Sequence, residues 1–272
     1  MDELDDTRGI LYPTRLPTFH RLPPPDELRE VVRWFWIPRW DVAPGRTSRQ
    51  QVLPFPASNL VVEPAGVTLS GPTTRASHRD LTGRSWAVGA LLRPAGIARL
   101  HPAPRELRDL EVAFDAPDLQ SAVTTTMGHP DRARHDDPEA DASRDRAAVA
   151  AWTAWGRDRL GSPDEAGLLA NAMEDLVATR PDVVRVEQVA EHLGVSTRAV
   201  QRLAHRHVGV PPLAMIRRYR LQEAAQRLRE DPSVTVSRIA AELGYADHAH
   251  LTRDFQQVLV LSPRDYRARG TS

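Results

Sequence analysis

One structural phrase occurs twice in the last ninety or so residues of this 272-residue chain, and any fold must give both copies a similar shape. The first copy, VEQVAEHLGVSTRAVQRLAHRHVGV, runs from Val186 to Val210. The second, VSRIAAELGYADHAHLTRDFQQVLVL, runs from Val236 to Leu261. Ala190, Leu193 and Gly194 return as Ala240, Leu243 and Gly244. After the turn, Val200, Arg202 and Ala204 return as Leu251, Arg253 and Phe255, with the second copy one residue longer. A duplicate at a spacing of about fifty residues is a far stronger signal than either copy alone.

Each copy reads as a helix-turn-helix. Val186, Val189, Ala190 and Leu193 fall at helical spacing and make one apolar face, with Ala190 small enough for a steep helix crossing. Gly194 can take the left-handed backbone that ends a helix at little cost. Ser196 suits the N-cap of the next helix, Val200 and Leu203 face inward, and Thr197, Arg198, Gln201 and Arg202 stay outside. Those side chains suit a major groove, where arginine bridges guanine O6 and N7 and glutamine bridges adenine N6 and N7. Between the copies, PPLAMIRRYRLQEAAQRLREDP predicts one helix, with Leu213, Ile216, Leu221, Ala224, Ala225 and Leu228 on its apolar face. About 18 residues span roughly 27 Å. That length could hold two recognition helices near one turn of DNA, roughly 34 Å.

The region from about Pro181 to Ala268 resembles the C-terminal DNA-binding domain of AraC/XylS transcription regulators. The resemblance rests on VAEHLGVSTRAVQRLAHRHVGVPPLAMIRRYRLQEAAQRL, IAAELGYADHAHLTRDF and SPRDYR. It implies base contacts from Arg198, Gln201 and Arg202 in the first unit and from Ala249, His250 and Arg253 in the second. Ala249 departs from the family's usual polar reader. Val260 departs where the first copy has Gly209 and the family usually has glycine, which predicts a reshaped helix end, since a β-branched residue tolerates positive φ poorly. Phosphate contacts are expected from Ser196, Thr197, Arg206, Arg217, Arg218, His248 and Thr252. His205/His207 and His248/His250 are His-x-His pairs whose members do not face each other on a helix, so they are poor chelators.

Charge and composition narrow the classes. Net charge is zero, yet roughly +4 falls after Pro181 and roughly −4 before it, all the positive charge being arginine. The absence of cysteine excludes disulfides, thiolate metal sites, cysteine nucleophiles and the methyl-acceptor repair proteins that carry similar DNA-binding domains. There is no Walker loop, dinucleotide fingerprint, Gly-x-Ser-x-Gly elbow or HExxH helix, which argues against an enzyme. The opening MDELDDTRGILYP is acidic, and no run approaches membrane-spanning length, so a cytoplasmic protein is expected, with no membrane partner.

Residues 20–117 alternate short apolar runs with Pro, Gly and Asn, as strands of a sandwich or barrel do. The phrases WFWIPRW, PFPASNLVVEPAGVTLSGPTTR and AVGALLRPAGIARL are similar to the β-rich N-terminal domain of a subset of AraC-type regulators. That similarity implies a cupin-like barrel that senses an effector, mediates dimerisation, or both. Trp34, Trp36 and Arg93 are the effector-site candidates; against them, Trp34 and Trp36 share one strand face and suit a core, and Arg93 suits a surface ion pair. Glu63 with His78 lacks the paired histidines of a cupin metal site. No metal or cofactor is expected.

The charged run DRARHDDPEADASRDR, 131–146, predicts a loop or linker, and residues 147–160 and 164–179 predict helices that bury Trp152, Trp155, Leu168, Leu169, Met173 and Leu176. The expected organisation is an α+β chain. It has a tail at 1–19, a β-rich domain at 20–117, a linker with connecting helices at 118–180, an all-α double helix-turn-helix domain at 181–268 and a tail at 269–272. The expected function is sequence-specific regulation of transcription. The expected partners are promoter or operator DNA, RNA polymerase, a small effector and a second copy of the chain. The competing classes are an architectural DNA-binding protein without an effector and an enzyme with an unrecognised site in the barrel.

Overall fold

The computed structural model describes residues 18–129, 137–231 and 233–270. Strands β1 (Thr18–Leu22), β2 (Val32–Asp41), β3 (Ser48–Val52), β4 (Ser58–Glu63), β5 (Gly66–Ser70), β6 (Ser77–Leu81), β7 (Arg84–Trp86), β8 (Val88–Leu92) and β9 (Glu111–Ala113) make up the N-terminal part. Seven of them form one antiparallel sheet in the order β1-β2-β8-β4-β5-β9, with β7 also on β2, while β3 and β6 form a separate ribbon. The expected barrel is not closed: β1 and β9 lie at opposite edges of an open sheet among the described residues.

Strand β2 shows why the sheet is covered on both faces. Its run VRWFWIPRW alternates Phe35, Ile37 and Arg39 with Trp34, Trp36 and Trp40, and alternate residues of a strand point to opposite faces. The first set meets helices α2 (Pro117–Met127) and α3 (Pro138–Leu160), where Leu119, Val123, Met127 and Trp152 complete an apolar layer. Trp152 is fully buried and stands edge-on to Phe35, with ring centres 5.3 Å apart. Arg39, 1% exposed, is held in that layer by Asp145 at 2.5 Å and Asp141 at 3.5 Å, and His20 Nδ1 lies 2.5 Å from the same Asp145. A buried cation of this kind persists only with such partners.

Three expectations are corrected here. Residues 138–146 are the start of α3, not linker: Asp137 caps its first backbone N–H groups, Pro138 opens it, and Asp141 and Asp145 face inward. Residues 130–136 of that charged run lie outside the described residues. A helix, α1 (Pro94–Leu100), interrupts the β-rich stretch directly after Arg93. Leu168, in α4 (Glu165–Thr179), and Leu213 are exposed rather than core residues.

The C-terminal part consists of α5 (Val186–His192), α6 (Thr197–Leu203), a π-helical turn (Ala204–Val208), α7 (Pro212–Glu230), α8 (Val236–Glu242), α9 (His248–Leu259) and α10 (Pro263–Gly270). Helix α7 serves both units. Its first half puts Met215, Ile216 and Tyr219 against Val189, Ala190, Val200 and Leu203. Its second half puts Leu221, Ala224, Ala225 and Leu228 against Ile239, Ala240, Leu251 and Phe255. At 19 residues it spans about 28 Å. Among the described residues no helix is long and apolar enough to cross a membrane.

The N-terminal part packs directly on these helices. Phe55, in the segment between β3 and β4, joins the core of the first unit, while Leu53, two residues earlier, joins the core of the second. Gln222 Nε2 donates to the Pro54 carbonyl between them at 2.7 Å. Arg218 Nη2 donates to the Thr74 carbonyl at 2.6 Å, and Ala76 N–H to the Val258 carbonyl at 3.0 Å. Behind them, Glu174 of α4, 1% exposed, accepts from Arg33 of β2 at 3.2 Å and from the Tyr219 hydroxyl of α7 at 2.8 Å.

Candidate nucleic-acid interface

Both units have the same turn. Gly194 and Gly244 end α5 and α8 in the left-handed region, each at φ 65°. The following helices are then capped by different side chains. Ser196 Oγ accepts from Ala199 N–H at 3.2 Å, and Asp247 Oδ1 accepts from His250 N–H at 2.7 Å. That backbone donor holds the Asp247 carboxyl below its ordinary pKa. Asp247 was not among the sequence candidates, although an Asp three residues beyond Gly244 is a legible cap.

On α6, Arg198, Gln201 and Arg202 are exposed on the side away from buried Val200 and Leu203. On α9, Ala249 and Arg253 are exposed opposite buried Leu251 and Phe255, and Arg253 Nε approaches the Ala249 carbonyl at 3.4 Å. His250 is half-buried and stands edge-on to Tyr245 at 5.3 Å, so its ring is braced rather than free to swing. Tyr245 in turn carries the Arg220 guanidinium 4.3 Å above its ring and reaches Asp254 at 3.2 Å. Burial, and then the Asp254 charge, push the Tyr245 phenol well above its usual range, so it stays a neutral donor.

The expected phosphate-contacting residues divide. Ser196, Thr197, His248, Arg206 and Arg217 are exposed, the first three at helix N-termini, where backbone N–H groups and the helix dipole favour an anion. Thr252 is half-buried. Arg218 is turned to Thr74 of the N-terminal part, and burial lowers its pKa from the usual arginine value. Arg217 and Arg218 therefore do not form one basic patch. His205 is exposed, but His207 is 3% exposed. Val260 adopts the left-handed region at φ 58°, so the helix end is not reshaped as its β-branch predicted.

A cavity of about 480 Å³ lies between the second face of the sheet and the β3–β6 ribbon, within the size range of small-molecule sites. Trp34 and Trp36 both line it, together with Phe19, Trp40 and Phe55. Arg93 does not: it donates to Asp175 of α4 and, at 3.3 Å, to the Arg29 carbonyl. Sequence reasoning missed Leu53 and Phe55, which line the cavity and touch α7 at once.

Residues 189–269 match a family model described as a helix-turn-helix domain, and residues 20–113 match one described as a domain of unknown function (DUF6597). An uncharacterized HTH-type transcriptional regulator of Haemophilus influenzae is 35% identical over 82 residues, 30% of this chain and 27% of that one. The HTH-type transcriptional activator RhaS of Escherichia coli is 33% identical over 106 residues, 39% of this chain and 37% of that one. A putative AraC-like transcription regulator of Streptomyces lividans is 34% identical over 113 residues, with the same two shares. The chain thus spans about a third of the length of these relatives.

Proposed function

We propose that this chain, which carries the helix-turn-helix domain of the AraC/XylS regulators, is a sequence-specific DNA-binding regulator of transcription. The observation that supports it most is the duplicated reader. Two capped helices stand at the two ends of α7, and each turns an exposed arginine outward at the repeated position, Arg202 and Arg253. The helices enter successive major grooves on one face of the duplex. Arg198, Gln201, Arg202, His250 and Arg253 read bases, while Ser196, Thr197, Arg206, Arg217 and His248 fix register on phosphates. Ala249 offers only a methyl group, so the second half-site is read with fewer hydrogen bonds. The cavity of the N-terminal part holds a small effector, and the reading is of a non-enzymatic protein. RNA polymerase and a second copy of the chain enter as partners on the strength of the family alone.

The test is selection of bound sequences from random DNA, comparing the native chain with Arg198→Ala/Arg202→Ala. The expected result is two short blocks about one helical turn apart, roughly 34–36 Å, with one block blurred in the variant. Salt-sensitive binding by both proteins with no enriched sequence would instead identify an electrostatic, architectural binder.

A further inference from the structure

We propose that the N-terminal cavity takes an uncharged aromatic molecule and that its occupancy reaches both DNA-binding units through the segment Leu53–Phe55. This rests on the regulator reading above and specifies the ligand and its route.

The ligand class follows from what the walls have left to offer. Five aromatic side chains, Phe19, Trp34, Trp36, Trp40 and Phe55, line the cavity. Trp36 lies flat against β8 because residue 89 is glycine; a Cβ there would fall 2.0 Å from the indole. Its Nε1 already donates to Asn59 Oδ1 at 2.9 Å, and Trp40 Nε1 donates to the Thr82 carbonyl at 3.2 Å. Both indoles therefore present ring surface and no spare donor.

Most of the charged groups that line the cavity are committed as well, while His78, which also lines it, is exposed. Arg79 is paired with Glu63 and with Glu111, both at 2.9 Å. Asp109 accepts from the Thr74 N–H and hydroxyl, each at 2.6 Å. The Arg21 guanidinium lies 4.3 Å above the Trp34 ring. An ionised ligand would lose its water in a chamber where Arg79, Glu63, Glu111 and Asp109 already hold partners, which is costly where the walls are apolar. A neutral ring system meets no such cost and gains stacking.

The route follows from the far side of the same wall. Phe55 is edge-on to Trp34 at 6.0 Å on the cavity side and edge-on to Tyr219 of α7 at 5.5 Å on the other. Leu53 lines the cavity and packs in the second unit's core. Phe55 N–H donates to Thr73 Oγ1 at 2.9 Å, and Thr73 also lines the cavity. A ring that displaces Phe55 or Leu53 must move against α7, where both recognition units are anchored.

The test uses the full chain and three matched probes: biphenyl-4-methanol, biphenyl-4-carboxylate and biphenyl-4-methylammonium. Calorimetry should show the alcohol binding at least tenfold tighter than either ion, and Trp36→Ala should weaken it at least tenfold. Absence of binding by the alcohol, or tighter binding of an ion, overturns the ligand class. Saturating alcohol should change affinity for the selected DNA at least fivefold, and DNA should change affinity for the alcohol by the same factor. Tyr219→Leu, or Gln222→Leu if the first is unstable, should bring that factor toward one while the alcohol still binds. An unchanged factor in a folded variant, or no factor in the native chain, overturns the route. Failure of the regulator reading would appear separately, as alcohol binding by a chain that selects no DNA sequence.

Discussion

Gly209 and Val260 occupy matching places at the ends of the two recognition segments, and both are left-handed, at φ 90° and 58°. Their surroundings are opposite. A Cβ at Gly209 would fall 2.7 Å from the backbone of Pro104 in the N-terminal part, whereas Val260 is 82% exposed. Glycine is thus required twice over at the first site, for conformation and for contact. At the second only the conformation asks for it, and α9 holds that conformation with Val260 N–H on the Gln256 carbonyl at 3.0 Å.

Val260→Gly should therefore stabilise the protein by about 1 kcal/mol, since a non-glycine residue in this region costs about 1–2 kcal/mol and the added freedom of the unfolded chain returns part of that. Gly209→Val should destabilise it by more than the same amount and loosen the domain contact. Urea denaturation of both variants checks this; a destabilised Val260→Gly protein would contradict it.

Removing Glu174 should be among the most damaging single changes. Its carboxylate is 1% exposed and serves Arg33 and Tyr219 together. Glu174→Ala leaves a buried guanidinium short of a partner, a loss of about 3–5 kcal/mol. Tyr219→Phe, which removes the hydroxyl that donates to Glu174 and leaves the charge pair in place, should cost about 1 kcal/mol. Equal losses would mean that Asp175, which also accepts from Arg33, compensates the charge alone.

His207 gives a pH dependence of known direction. Burial, reinforced by Arg206, lowers its pKa below the ordinary 6.5, while Asp164 and the Pro94 carbonyl act in the opposite sense more weakly. Below pH 6.5 the unfolded chain binds a proton that the folded chain resists. The contribution is therefore complete above that pH and is lost as pH falls through and below it. His207→Leu should flatten stability between about pH 6.5 and 5, relative to the native chain. A native-chain profile already flat there would count against the buried neutral imidazole.

Arg202→Ala should weaken binding to a selected site by roughly 1–3 kcal/mol and relax preference at one base pair. Equal losses on selected and random DNA would make Arg202 a phosphate contact. Ala249→Gln should leave stability nearly unchanged and sharpen the preference of the second half-site, as read by the same selection.

The helix-turn-helix units were legible because helical periodicity, the turn glycines and a cap are local, and the duplication repeated them. The outward placement of Arg198, Gln201, Arg202 and Arg253 followed from the same periodicity. What was not legible depends on distant residues. The charge density of 138–146 suggests linker until Arg39 of β2 is seen to need Asp141 and Asp145. Arg93 allows either a ligand partner or an ion pair by its sequence, and Asp175 beside it shows the second. The closed barrel failed because alternation specifies strands and faces but not whether the two edges meet. Phe55 falls in a phrase that marks only a scaffold, and Leu53 just before it; only the packing of two sequence-distant parts shows what they touch.

That packing has a consequence for operators. With Phe55 packed into the core of the first unit and Leu53 into that of the second, the two proposed readers are held at a set distance, as on a ruler, rather than as two hands on a tether. One extra base pair between half-sites shifts the second groove by about 3.4 Å and rotates it by roughly 35°. A tether absorbs such a change of phase, but a ruler does not. On the proposed reading, spacing then counts as much as letters, and a single inserted base pair should silence a site whose every contacted base is intact.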